Sequence, residues 1–507
     1  MGKHITRRDF VRATALAVAA PMVMSTAKRT FAQAEAQGQF EATAESLKKY
    51  ECPQWFRDAK FGIWAHWGPQ AVPGMGDWYA RKLYQEGGAD YKYQVEHYGH
   101  PSKVGYKDII PLWKAEKWEP DRLMELYKKA GARYFVAQAV HHDNFDNWDS
   151  KYHKWNAVKM GPQKDVVGLW RQAALKQGLR FGVSEHLGAS YTWFQDSHGA
   201  DKTGPLAGVP YDGADPKWED LYHPKAAPDD KGWYSKNPEW HKEWFNRISD
   251  VIDRYQPDLL YSDGGIPFGE VGRKLVAHFY NSSMQHHGGK VEAVYNSKRQ
   301  GSGEYIEGAN VLDVERGGMK DIQKYPWQTD TSTGDWFYRK RDRYKTAAQV
   351  IHLLADIVSK NGNMLLNVVQ LPDGSLPPVM ETFVAEMADW MNVNGEAIYE
   401  TRPWKIYGEG PTVIAGGAFR ENFPFTADDV RFTSKGSTLY AIALGVPTKE
   451  LRIKSISKNA AKVGDIQVVG SDQKIQWKQE EDALSIQPLA QWPSKHGVSF
   501  RIKIAEG

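Results

Sequence analysis

The sequence predicts an α/β chain, a parallel (β/α)8 barrel of the TIM type followed by a C-terminal antiparallel β-sandwich. Three observations carry that expectation. Short apolar runs alternate with helical segments along most of the chain, the pattern of a parallel sheet with crossover helices. About eight such units occur, which favours a closed barrel over an open sheet. After Trp404 the helical period vanishes, and short alternating runs separated by Gly, Ser, Asp and Lys take over. The expected partition is a leader over 1–34, the barrel over 35–404 and the sandwich over 405–507.

In chain order, the strand candidates are 61–67, 134–140, 180–186, 259–263, 291–297 and 363–369, with weaker ones at 311–315 and 327–331. Asn237 and Pro238 stand where an N-cap and a first-turn proline belong. Trp240, Trp244, Ile248, Val251 and Ile252 then mark one buried helical stripe. Leu123, Leu126 and Tyr127, with Gly131 beyond the end, repeat the pattern one unit earlier. Residues 197–236 are rich in Gly, Pro and Asp without sustained period and follow a strand end, so they read as an active-site loop.

Residues 1–34 read as a leader. Thr6-Arg7-Arg8-Asp9-Phe10-Val11 is a twin-arginine pattern, an apolar stretch from Ala13 to Met24 follows, and Ala32-Gln33-Ala34 offers a cleavage site. The expectation is export by the twin-arginine route to the periplasm or outside the cell, with no membrane association after cleavage. Losing the six Lys/Arg and one Asp of the leader moves the formal charge from +3 to −2, so the charge balance gives no argument for a nucleic-acid partner. Cys52 is the single cysteine, which excludes an intrachain disulfide and a cysteine-based metal cluster. The 20 Trp and 25 Tyr stand against a mean hydropathy of −0.61. Sugar-binding clefts and aromatic-rich cores both have such a composition.

Several strand ends carry polar groups that packing does not require. His66 ends the first run, with Asp77-Trp78-Tyr79 close behind; His141-His142-Asp143-Asn144 ends the second, Glu185-His186 the third, and Asp263 the fourth. Glu315 ends a later one. In a barrel these ends converge on one mouth, the catalytic face. Two chemistries fit. As a glycosidase, one carboxylate is ionised beside the reacting carbon while the other stays protonated to donate to the leaving oxygen. As a metal-dependent hydrolase, His66, His141, His142 and an acid would hold a divalent ion. Adjacent His141 and His142 on an extended strand would face opposite sides, and neither a His-x-His pair nor an HExxH helix accompanies them. That favours the glycosidase, with no metal or other cofactor expected. A catalytically silent sugar-binding protein on the same scaffold is a third reading. Nucleophile-elbow, Walker and dinucleotide-binding motifs are absent.

A succession of blocks resembles the α-L-fucosidases of glycoside hydrolase family 29: Trp55-Phe56, the run from Lys60 to Gly68, Asp77-Trp78-Tyr79, His141-His142-Asp143, Trp148-Asp149-Ser150 and the run from Asp258 to Gly264. Asn361 to Val368, Asp373-Gly374 and Asn394 to Tyr399 continue it. The resemblance implies a retaining exo-enzyme acting on α-L-fucosides through a covalent fucosyl-enzyme, with fucosylated oligosaccharides or glycoconjugates as partners. On the matching positions Asp263 would be the nucleophile and Glu315 the acid/base, with Glu304, Glu307 and Glu185 as rivals for the second role. The substrate-binding candidates are His66, Asp77, Trp78, His141, His142, Glu185, His186, Tyr261, Lys298 and Trp336. The chain departs from the family pattern at Tyr261-Ser262-Asp263, at Ser184-Glu185-His186, at Lys298-Arg299 and at Asp77, departures that leave room for a modified 6-deoxy sugar or a branched substrate.

Overall fold

The computed structural model describes residues 39–299 and 301–504, and the leader expected over 1–34 lies outside the described residues. Eight parallel strands close a barrel: β1 (Phe61–Ala65), β2 (Tyr134–Val140), β3 (Arg180–Glu185), β4 (Leu259–Ser262), β5 (Val294–Lys298), β6 (Val311–Asp313), β7 (Trp327–Ser332) and β8 (Gly362–Asn367). β8 pairs back onto β1. Every run singled out in the sequence is a strand here, with shifts of a few residues at the ends. Strands buried on both faces read as continuous apolar stretches, and β2 is buried along its whole length. Gly62 is required by close approach: a Cβ there would sit 2.3 Å from the Tyr134 ring.

The helices follow their sequence signals. Pro238–Tyr255 starts where the Asn237 side chain accepts from the Glu239 amide at 3.0 Å, and it buries Trp240, Trp244, Ile248, Val251 and Ile252 against the barrel. Pro120–Lys129 buries Leu123 and Tyr127 and stops ahead of Gly131, whose φ is +101°. One stretch departs from the regular βα alternation. Among the described residues, no helix connects β5 to β6 or β6 to β7, so the ring of crossover helices is incomplete. Leu312 and Val314, on the outer face of β6 and its extension, are consequently only half-buried. Strands in a closed barrel are held by their ladders, and a crossover helix is dispensable where other chain covers part of the outer face.

The loop over 197–236 is less irregular than its composition suggests. It contains the short turns Asp212–Ala214, Pro216–Trp218 and Glu219–Tyr222, tied down by Tyr84 and Tyr222 hydroxyls that both donate to Asp212, at 2.8 and 2.9 Å. Its last part delivers Trp233 to the barrel mouth.

The C-terminal region packs a five-stranded antiparallel sheet, in the order β13 (Val463–Val468), β16 (Val498–Ile504), β11 (Thr438–Ala443), β10 (Val430–Lys435), β9 (Arg402–Glu409), against a three-stranded one, in the order β12 (Leu451–Ile453), β15 (Leu484–Ile486), β14 (Trp477–Gln479). Phe432, Leu484, Phe500 and Ile502 lie in the core of this unit. A buried ion network ties it to the barrel. Asp356, on the helix Ala347–Ser359 that precedes β8, accepts from Arg431 of β10 at 2.6 Å and from Lys360 at 2.8 Å. All three groups are out of water, so removing the shared carboxylate strands two buried cations. Asp356→Ala is expected to cost ~3–5 kcal/mol of stability, read as a lowered midpoint in chemical denaturation.

Candidate active site

Side chains on a strand alternate between faces, and this period builds the site. Trp64 and then His66 point into the lumen from β1, Ser184 and His186 from β3, Tyr261 and Asp263 from β4, and Asp313 and Glu315 from β6, with Lys298 ending β5. The last residue of each pair emerges at the C-terminal mouth, where a cleft of about 600 Å³ opens. His66, Asp77, Trp78, His141, His142, His186, Tyr261, Lys298 and Trp336 from the candidate set line it, as do Asp263 and Glu315.

His141 and His142 both reach the cleft, against the expectation that neighbours on a strand diverge. The β2–β3 register slips between Gln138 and Val140. Ala139 is the extra residue of a bulge, its carbonyl taken by the Asn147 amide at 2.8 Å. The bulge turns His141 inward beside His186, and β2 ends at Val140, which frees His142 to swing to the same side.

Glu185 is a candidate that the structure keeps out of the cleft. It is fully buried behind β4, accepting from Ser262 Oγ at 2.5 Å, Leu187 N at 2.9 Å and Trp244 Nε1 at 3.2 Å. Strand parity explains it: Glu185 faces outward wherever Ser184 and His186 face inward. It braces the strand that presents Asp263, whose amide donates to the Glu185 carbonyl at 3.2 Å. Glu304 is bound by Arg273 Nη1 at 2.6 and 2.7 Å and Glu307 is exposed, and neither lines the cleft.

At the centre, Lys298 Nζ lies 2.7 Å from Asp263 Oδ1 and 2.5 Å from Glu315 Oε2. The two legs together limit the separation of those oxygens to at most about 5.2 Å, short of the ~6.5–9.5 Å that an inverting pair needs to admit a water, so the two carboxyls flank one site as the pair of a retaining glycosidase does. His142 Nε2 approaches Asp263 Oδ2 at 3.3 Å, its Nδ1 bonded to the His186 carbonyl at 2.7 Å. Burial alone would raise Asp263, but the Lys298 ammonium and the His142 hydrogen bond override it and hold the carboxyl well below the usual range. Glu315 moves the other way: burial raises it, aided by Asp330 and Asp263, and Lys298 only partly opposes. Two carboxyls around one cation are thus split into an ionised member and a protonatable one.

Three imidazoles flank the pair. His66, His141 and His186 each place a ring nitrogen within 4.8 Å of the others, a spacing that could hold a divalent cation or meet the hydroxyls of a polyol. Burial drives all three down, His186 to about 3, so they stay neutral across physiological pH. Gln70 Nε2 lies 2.9 Å from His141 Nδ1, leaving Nε2 free for the cleft. Desolvation and Asp335 raise Asp77 well above its usual value. Trp78 stacks on Trp233 at 5.9 Å on one wall, and Trp64 meets Trp336 at 5.4 Å on the other.

Among the lining residues outside the candidate set are Trp64, Trp233, Asp330 and Phe419. Trp64 and Asp330 were within reach, since each lies on a recognised strand with the parity of a lumen residue. Trp233 and Phe419 come from connecting segments, where no period marks a direction.

Comparison with known proteins agrees with this geometry. Residues 27–396 match the family described as alpha-L-fucosidase, and residues 424–503 match the alpha-L-fucosidase C-terminal domain. The tissue alpha-L-fucosidase of Mus musculus is 26% identical over 447 residues, covering 86% of this chain and 87% of that protein. The plasma alpha-L-fucosidase of Homo sapiens is 27% identical over 480 residues, 90% of this chain and 91% of that one. Among solved structures, the Thermotoga maritima alpha-fucosidase in complex with fucose superposes with a TM-score of 0.72 at 26% identity, covering 91% of this chain and all of that one. Family match, relatives and barrel agree, and the chain belongs to the α-L-fucosidase family, glycoside hydrolase family 29.

Proposed function

We propose that the cleft hydrolyses terminal α-L-fucosides with retention of configuration, Asp263 acting as the nucleophile and Glu315 as the acid/base. The single observation that carries this is the carboxyl pair bridged by Lys298, whose two oxygens lie no more than about 5.2 Å apart. Asp263, kept ionised, attacks the anomeric carbon while Glu315 gives its proton to the glycosidic oxygen, and the leaving group departs with that proton. A fucosyl ester on Asp263 results. Water then attacks the same carbon, the Glu315 carboxylate takes its proton, and Asp263 is released.

The neutral imidazoles of His66, His141 and His186 suit sugar hydroxyls, since each ring offers one donor and one acceptor. The aromatic walls suit a sugar with a methyl group in place of the usual hydroxymethyl. The physiological partners are fucosylated oligosaccharides or glycoconjugates. Export by the twin-arginine route to the periplasm or beyond is part of the same reading, supported by the Arg7-Arg8 pattern, the apolar stretch and the small-residue site that follow it.

Asp263→Ala is expected to abolish turnover of 4-nitrophenyl α-L-fucoside. Glu315→Ala should lose ~10²–10⁴-fold on fucosides with poor leaving groups, recover on activated aryl fucosides, and respond to azide. Rescue at 263 with none at 315 would remove Glu315 from the role. Turnover that survives dialysis against EDTA separates this reading from a metal-dependent hydrolase.

Replacing Lys298 by Met removes the cation that lowers both carboxyls. The acid limb of the kcat/KM profile follows Asp263 and the alkaline limb follows Glu315, so both limbs should move to higher pH while the maximum falls. A profile that keeps its position would show that Lys298 does not set the ionisation of the pair.

A further inference from the structure

Beside β6, where the described residues form no crossover helix, a second cleft of about 350 Å³ runs along the outer side of that strand. It meets the catalytic cleft at Lys298, Gly301, Glu315 and Phe419, which line both. Resting on the catalytic assignment above, we propose that this second cleft is a leaving-group subsite, built for an apolar aglycone and closed on one side by Phe419 of the C-terminal region.

Position comes first. The acid/base touches the glycosidic oxygen, so whatever is attached to that oxygen must lie beside Glu315 and away from the imidazoles that receive the sugar. The second cleft starts at that carboxyl. Chemistry comes next. Away from the scission point its side chains are Leu312, Val314, Met319, Ala418 and Phe419. Its remaining charged members are turned to other partners. Asp313 is buried and accepts from Gln328 Nε2 at 3.0 Å, while Arg299 lies over the Tyr305 ring at 4.9 Å and within 3.8 Å of Glu307. A polyhydroxylated leaving group would find few hydrogen-bonding partners along such a wall, whereas an aryl or alkyl group would exchange water for apolar contact.

The segment that carries Phe419 is held in place rather than loosely draped. Gly417 N donates to the Gly318 carbonyl at 2.8 Å and Phe419 N to the Glu315 carbonyl at 2.9 Å, so it is strapped directly to the chain of the acid/base. Two residues on, Glu421 accepts from Lys345 at 2.8 Å and from Thr331 Oγ1 at 2.5 Å. Phe419 is 69% exposed and has a φ of +56°, a left-handed backbone that an aromatic residue rarely adopts. An exposed ring held against solvent, in a strained backbone, at the junction of the two clefts has the features of a binding platform.

The test compares Phe419→Ala and Val314→Asn with the wild-type full chain on three substrates: α-L-fucosyl fluoride, 4-methylumbelliferyl α-L-fucoside and a fucosyl disaccharide. The ratio of variant to wild type cancels the intrinsic reactivity of each leaving group. Expected is a kcat/KM loss of ~10-fold or more on the umbelliferyl fucoside in both variants, expressed in KM, with the fluoride changed less than about two-fold in Val314→Asn, which lines the second cleft alone, because the fluoride leaving group is too small to enter. Equal losses on fluoride and aryl fucoside would mean a structural effect and overturn the proposal. A loss confined to the disaccharide would assign the wall to a sugar and overturn it too. A change of oligomeric state in Phe419→Asp, with leaving-group ratios untouched, would give the cleft to a second copy of the chain. Fluoride hydrolysis that survives Asp263→Ala would instead sink the catalytic assignment itself, which keeps the two failures apart.

Discussion

The centre of this protein is one ammonium group between two carboxyls. Without Lys298, Asp263 and Glu315 would face each other at short range in a partly dry pocket, and like charges in that setting drive one carboxyl toward protonation without specifying which. The asymmetry comes from the surroundings. Asp263 also meets His142, whereas Glu315 faces the negative side of the cleft near Asp330. Lys298 in turn lies within the field of four acids, Asp263, Asp330, Glu315 and Asp313, and burial that would discharge it is overcome by them. Cation and carboxyls keep one another in the charge states that acid/base and nucleophilic chemistry both require.

That arrangement is positioned by features with no chemistry of their own. A bulge at Ala139 turns His141 into the cleft, and a buried Glu185 fixes the turn after β3 while bonding to Ser262, the neighbour of Asp263. Tyr234 adds its hydroxyl to the carbonyls of Asp263 and Gly265 at 3.2 and 3.1 Å. Asp263 therefore stands on a strand end held by its neighbours, which limits the reorganisation its carboxylate needs when charge develops nearby.

The C-terminal sandwich is more than a weight on the barrel. Its ion network at Asp356 locks β10 to the helix preceding β8, and its connecting segment after β9 reaches over the top of the barrel to bond with the chain around Glu315. Among the described residues no crossover helix stands where this contact is made. The outer face of β6 is thereby opened beside Glu315, where the second cleft meets the first.

The strands and their order were legible in the chain because apolar runs with turn signals survive without knowledge of partners, and the family blocks fell on the strand ends that became the cleft. Asp263 and Glu315 were legible as acids at strand ends for the same reason, and Lys298 only through the resemblance to the family. Glu185 was misread because adjacency to His186 says nothing about parity until a register is known, and His141 with His142 was misjudged because a bulge leaves no mark in composition. Trp233 and Phe419 were invisible, since segments far along the chain reach the mouth only when the loops and the sandwich dock. The sequence by itself determined the barrel and the sandwich, because these depend on local period and residue chemistry. Tertiary structure alone decided which neighbours share a face, which acid is ionised and what walls the leaving-group side, because register, burial and charge separation are properties of residues that meet only in space.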